Sequence, residues 1–349
     1  MHRPIAGVVV ATFFATLCLG ACQPNASPAP APTGVIATAQ VSHTAAQLFA
    51  VSAVDERVVW VSGASGTYLR TLDGGAAWQV GHVAGADSLQ FRDVAALDAN
   101  AAWLLAIGNG DQSRIYHTSD GGASWATQFT GRDKDLFLDC IAMWDARRGL
   151  VLGDALHGEM LLLRTDDGGD HWTRVPQAQL PPTGPKDGSF ATSGTCLVTR
   201  PGGHAWITTG ADSAYRVLHS SDYGQSWTAS VGPVAATSLS FRDDGTGFAF
   251  QGADPAKDGG VAVTRDAGRT WTAVPRPPIA GGIYGGALVP GTRGPSVFAV
   301  APHGAAFSTN AGATWAPIDT NNYWGIGVAS AHVAWAVGRG GRVTRLTGF

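Results

Sequence analysis

An eight-residue pattern, [ST]-x-[DN]-x-G-x-x-W, recurs six times in this chain, and no other feature restricts the fold as tightly. The copies are Thr71–Trp78, Thr118–Trp125, Thr165–Trp172, Ser220–Trp227, Thr264–Trp271 and Ser308–Trp315. Their third positions, Asp73, Asp120, Asp167, Asp222, Asp266 and Asn310, are 47, 47, 55, 44 and 44 residues apart. A period of roughly 40 to 50 residues marks supersecondary units that bury their faces only against one another, and it suits a four-stranded propeller blade.

A second signature precedes each octet: a short apolar run that mostly ends in glycine, as in "VVWVSG" (58–63), "AWLLAIG" (102–108) and "GFAFQG" (247–252). Such runs read as strands buried on both faces and stopped by a turn. A seventh run, "VAWAVG" (333–338), has no octet after it. Each unit therefore reads as strands A, B and C, the octet turn, and strand D, and the last unit lacks strand D. The strand-like segment 35–45 precedes the first unit and has no unit of its own. Paired beside 342–348 it would close the ring and remove the open edge that a β protein must protect. The expectation is an all-β, seven-bladed propeller closed by its N-terminal strand, with six or eight blades as the alternatives. Composition agrees: 47 glycines, with Glu56 and Glu159 the only glutamates and Lys134, Lys186 and Lys257 the only lysines, make poor helices and good tight turns.

The N-terminus reads differently. His2 and Arg3 precede an apolar run that ends Leu19-Gly20-Ala21-Cys22, the form of a secretory signal. That ending resembles the lipobox of bacterial lipoproteins, which implies Cys22 as a lipidated N-terminus anchored in a membrane. Gln23 after it implies the outer membrane, facing the periplasm. The expected organisation is a signal peptide over 1–21, a Pro/Ala-rich tether over 22–34 and the propeller over 35–349. An envelope compartment permits a disulfide, and the mature domain keeps only Cys140 and Cys196, in similar places of consecutive repeats. A bridge and two buried free thiols both remain open. A net charge of -3 with scattered arginines excludes a nucleic-acid footprint.

In a blade the octet lies on the C-to-D hairpin. Its acid and its hydroxyl accept turn N–H groups, its glycine supplies positive φ, and Trp78, Trp125, Trp172, Trp227, Trp271 and Trp315 start strand D and pack over the turn or between blades. The pattern is that of the Asp-box, or BNR repeat, of sialidases and related propellers. One acid per hairpin, a blade apart, cannot assemble a metal site, so neither metal nor cofactor is expected. The sialidase signature Arg-Ile-Pro is absent from the mature chain, and there is no Gly-x-Ser-x-Gly, Walker or His-Glu-x-x-His motif. Asp93, Asp139 and Asp243 are acid candidates at the ring entrance. Against this, Arg92-Asp93 and Arg242-Asp243 read as ion pairs or turn acceptors at equivalent points of two blades.

Function is expected on the opposite face, formed by B-to-C and D-to-A loops. The 55-residue spacing places an insertion there, Gln177 to Gly194, and long loops on rigid scaffolds carry function. Candidate binding residues on this face are Asp154, His157, Glu159, Lys186, Asp187, Asp212, Tyr215, Arg216 and Lys257, with Asp254 and Asp258 nearby. The first blade (Val58–Trp78), the six Asp-boxes and the blade count together resemble the photosystem II stability/assembly factor family of Asp-box propellers. That resemblance implies a non-catalytic scaffold that binds an envelope or membrane protein and assists its assembly or stability. In photosynthetic members an arginine-rich patch engages the partner, and no such cluster can be carried across here. The alternative is a sialidase-like glycoside hydrolase or a glycan-binding propeller.

Overall fold

The computed structural model describes residues 1, 34–182, 188–211, 214–243, 245–252, 254, 256–292 and 294–349. Cys22, Lys186, Asp187 and Asp212, the signal segment and most of the tether lie outside these residues. Seven separate four-stranded antiparallel sheets account for the described strands. Six are built from consecutive strands. In the first, Leu48–Ala53, Val59–Gly63, Thr67–Thr71 and Gln79–His82 run A to D from the ring centre outward. The seventh takes strands A, B and C from Gly325–Val328, Val333–Val337 and Val343–Thr347, and its outer strand from Ile36–Gln40. The register is antiparallel, with Ile36 opposite Thr347 and Gln40 opposite Val343. The expected seven-bladed ring and its N-terminal closure are both present.

The strand-B runs are the core. Val59–Gly63, Val297–Ala301 and Val333–Val337 are buried at every residue, because each is sandwiched between neighbouring blades. Successive inner strands are clasped across the blade boundaries by polar side chains. Ser52 Oγ accepts the Ala96 N–H (3.0 Å), Asp93 Oδ2 the Ile141 N–H (2.7 Å) and Ser240 Oγ the Leu288 N–H (2.9 Å). The closing strand has its own clasp. Gln40 Oε1 accepts from the indole of Trp78 in blade one (2.9 Å) and from that of Trp335 in blade seven (3.2 Å).

Every octet is a local hairpin clamp. In the second copy the Thr118 hydroxyl donates to Asp120 Oδ1 (2.8 Å) and accepts the Gly122 N–H (2.9 Å), while Asp120 takes the Ser124 N–H (2.9 Å) and hydroxyl (2.6 Å). The Ser124 hydroxyl, followed by its N–H, holds the Asp120 carboxyl down at about 2. The fourth and fifth positions both adopt left-handed backbone. Glycine fills both in the first three copies, but Tyr223, Ala267 and Ala311 occupy the fourth position in the others. In the sixth copy the amide inverts one bond: Asn310 Nδ2 donates to Thr314 Oγ1 (2.9 Å), and Oδ1 still accepts the Thr314 N–H (2.9 Å). The fourth-position N–H also donates to a carbonyl of the A-to-B hairpin, as Gly121 does to Asn100 (3.0 Å). Octets and A-to-B turns therefore share one face.

Cys140, on strand A of blade three, is bonded to Cys196, just ahead of strand A of blade four, with Cα atoms 6.0 Å apart.

Candidate functional site

The face opposite the octets opens into a cavity of about 530 Å³ at the ring centre. Its walls come from the residues that start the inner strands: Phe137, Tyr284 and Trp324 each stand immediately before a strand A. Arg92 enters from blade two, and Asp154 and Tyr215 from B-to-C hairpins.

The insertion lies on the octet-free face and contributes to the cavity lining. Of its described residues, 177–182 and 188–194, the second stretch crosses the ring centre. Gly188 exchanges backbone hydrogen bonds with Gly210 (3.1 and 3.2 Å), and Ser189 N–H donates to Asp154 Oδ1 (3.2 Å). Farther along, the Ser193 hydroxyl donates to the Tyr284 carbonyl of blade six (2.8 Å), while Arg92 of blade two donates to the Ala191 carbonyl (3.0 Å). Small residues make the crossing fit. A Cβ on Gly194, at φ +74, would stand 2.0 Å from Asp93 Oδ1. The segment thus floors the mouth, with Phe190, 41% exposed, on its lining.

Several of the expected rim charges have a local partner at the surface. His157 Nε2 bonds Asp133 (2.6 Å), Glu159 faces Arg174 (3.3 Å), and Lys257 faces Asp254 (3.4 Å). Asp258 pairs with Arg276 (2.8 Å), and Arg216 donates to the Pro182 carbonyl. Of the candidate binding residues, Asp154 and Tyr215 line the cavity.

The three candidate acids separate. Asp93 is 3% exposed; burial pushes its carboxyl up to about 8, against the pull of the Ile141 and Val94 N–H groups, each 2.7 Å away. It is a blade-to-blade clasp, not an ion pair with Arg92. Asp243 is exposed, 3.9 Å from Arg200, on the octet face. The two Phe-Arg-Asp stretches are therefore not equivalent: Phe91 opens strand A of blade two (Gln90–Ala96), whereas Phe241 closes strand A of blade five (Ser238–Phe241). Asp139 alone faces the cavity. Burial, then the neighbouring Asp154, raise its carboxyl well above the usual range, and burial raises Asp154 as well.

Arg92 has no carboxylate partner among the described residues. Its guanidinium lies 4.2 Å from the Phe49 ring centre and 5.1 Å from that of Trp324, two rings that meet edge to face with centres 5.3 Å apart, so aromatic side chains hold a cation at the mouth. The residues missed from the sequence are thus Phe137, Phe190, Tyr284 and Trp324. The available signal was an aromatic directly before strand A in blades three, six and seven. No group of three or more metal-binding side chains occurs among the described residues.

Ring, hairpin clamps and central mouth define a seven-bladed Asp-box β-propeller. Within it, residues 86–231 match the family model described as Photosynthesis system II assembly factor YCF48, so the chain resembles that family in sequence as well as fold. A solved structure described as YCF48 bound to D1 peptide superposes with a TM-score of 0.66 at 19% identity, covering 92% of this chain and 99% of that one. YCF48 from Cyanidioschyzon merolae gives 0.66 at 15% identity, over 89% of this chain and 98% of that one. An ancestral GH74 enzyme gives 0.60 at 15% identity, with 87% of this chain covering 45% of that one. Comparison with curated protein sequences gives no match.

Proposed function

We propose that this propeller is a lipid-anchored, periplasm-facing scaffold that takes a segment of another envelope protein into its central mouth and assists that protein's assembly or stability. The observation that carries the reading is the mouth itself. It is an open cavity of about 530 Å³ whose walls combine aromatic faces with an arginine that has no acidic partner among the described residues, which suits an irregular peptide better than a small polar solute. The matched structure described as YCF48 bound to D1 peptide gives such a propeller a peptide ligand, and this supports the same use here. Lipidation at Cys22 with a tether over 22–34 would hold the propeller at a membrane surface, where envelope proteins are assembled.

A photo-crosslinking residue at Phe190, on the mouth lining, tests the reading in envelope extracts. A discrete crosslinked protein is expected, and Trp324→Ala should abolish it. Crosslinking that is absent, or indifferent to Trp324→Ala, refutes the mouth as the binding site.

A second reading, glycoside hydrolysis, is favoured by one observation: two carboxyls, Asp139 and Asp154, share the mouth with Tyr215, Tyr284 and Trp324. Release of nitrophenol from a panel of aryl glycosides, lost in Asp139→Asn, would establish it in place of the scaffold.

A further inference from the structure

We propose that Asp139 and Asp154 form a receptor for one basic side chain, lysine or arginine, carried by the polypeptide that docks in the mouth. This rests on the protein-binding reading above and names the chemistry that the mouth recognises.

The first observation is an orphan. Asp139 is 1% exposed, lines the cavity, and its Oδ2 has no hydrogen-bond partner. A buried carboxyl oxygen without a donor is costly, and the chain shows how it satisfies one when the role is structural: Asp93 takes two backbone N–H groups. Asp139 has no equivalent among the described residues.

The second observation is a neighbour held beside it. Leu138 pairs with Gly153 across strands A and B, and the Asp154 N–H donates to the Phe137 carbonyl (3.0 Å), so the backbone holds Asp154 opposite Phe137, and its side chain lines the same cavity as Asp139, close enough to act on that carboxyl. The Ser189 N–H then holds Asp154 Oδ1 from the crossing segment. Two carboxyls so placed raise one another's cost of ionisation unless a cation joins them.

No described cation does so. Arg92 is held by Ala191, Phe49 and Trp324, while Lys257, Arg276, Arg174 and His157 are each paired with their own acids. Among the described residues the charge is missing, and a docked basic side chain would supply it. The other walls suit a long basic side chain, because Phe137, Tyr215 and Tyr284 offer aromatic surface to an aliphatic stem and attract its cationic head. Burial holds both carboxyls above their usual range, and an entering cation favours their ionised forms, so binding should be accompanied by release of any proton they carry.

The test uses blocked tripeptides, acetyl-Ala-X-Ala-amide with X lysine, arginine or norleucine, titrated calorimetrically into the intact protein in two buffers of different ionisation heat. The lysine and arginine peptides should bind roughly tenfold or more tighter than the norleucine peptide, with proton release. Asp139→Asn and the half-buried Asp154→Asn should each erase that difference while melting stays cooperative. The wild-type comparison needs no variant, so a folding defect in Asp139→Asn leaves the proposal testable. Equal binding of the three peptides overturns it, as does a preference that survives both substitutions. Binding of 1,4-diaminobutane without the lysine peptide also overturns it, in favour of a small free amine. Crosslinking at Phe190 that persists in the Asp139→Asn/Asp154→Asn double variant, without lysine preference, leaves the protein-binding reading standing and removes this one. Lysine preference without any crosslinked protein does the reverse.

Discussion

Replacing Gln40 by leucine tests how the ring is closed. Gln40 Oε1 is the acceptor recorded for the indole N–H groups of both Trp78 and Trp335, which are 5% and 0% exposed. Leucine strands both donors in the interior, at about 1 to 3 kcal/mol each, so Gln40→Leu should cost about 2 to 5 kcal/mol after some apolar gain. Gln40→Glu keeps an oxygen in the same place and should cost about 1 kcal/mol or less. Gln128 supplies an internal comparison, because it is the strand-D residue of blade two that abuts the octet glycine of blade three, as Gln40 abuts that of blade one. It too accepts from a buried indole, Trp103 (3.0 Å), but that N–H also reaches the Gly168 carbonyl (3.2 Å). Gln128→Leu should therefore cost less, about 1 kcal/mol. Urea unfolding followed by tryptophan fluorescence reads all three variants, and proteolysis of the N-terminal strand reads local release. A Gln40→Leu variant no less stable than Gln128→Leu would refute the shared-acceptor argument.

Other consequences follow from the same contacts. The folded protein keeps a proton on Asp93 up to about pH 8, whereas an unfolded Asp loses it near about pH 4. Its share of stability is therefore full below about pH 4 and lost as pH rises towards 8. Asp93→Asn should flatten that part of the melting-temperature profile and cost about 1 to 3 kcal/mol near pH 4, where an amide N–H₂ meets a backbone N–H; parallel profiles for the two proteins would contradict this. The octet acids act in the opposite sense. Asp120 and Asp266, held near 2 first by the Ser124 and Thr270 hydroxyls, contribute stability above about pH 4 that fades as pH falls towards 2, so the melting profile should fall at both ends. Ala311, at φ 59, should be stabilised by Ala311→Gly by up to about 1 kcal/mol in urea titration, since relief of left-handed strain exceeds the added chain entropy. Reducing Cys140–Cys196, which encloses a loop with a sequence separation of 56, should cost about 4 kcal/mol by chain entropy, measured as the urea midpoint with and without a reductant.

The ring was legible in the sequence because its signals are local and repeated. Six octets, seven apolar strand-B runs and one unpaired N-terminal strand each mark a blade without reference to distant residues. The A-to-B turns carry a third such signal. Asp55, Asp98 and Asp145 each accept two backbone N–H groups in blades one to three, and each stands just before a strand B. The mouth was less legible, because it is assembled from single residues of different blades. Asp139 and Tyr215 could be singled out, but nothing in "FLDC" says that this acid lacks a partner. The partners of the rim residues His157 and Glu159, Asp133 and Arg174, lie 24 and 15 residues away and could not be matched to them by spacing alone. The path of 188–194 across the ring depends on Gly194 and on contacts to blades two, three and six. No pattern within the insertion encodes those.

The seventh blade carries a consequence for biosynthesis. Its outer strand emerges first from the ribosome and its partner, Val343–Thr347, emerges last. Until that final strand is made, the nascent chain is an open arc with an unpaired edge at each end, and six complete blades cannot shelter either edge. A chain halted a few residues short would be left as a sticky crescent rather than a slightly shortened propeller. For a protein whose proposed work is to guard another protein during assembly, ring closure ties competence to complete synthesis of the domain.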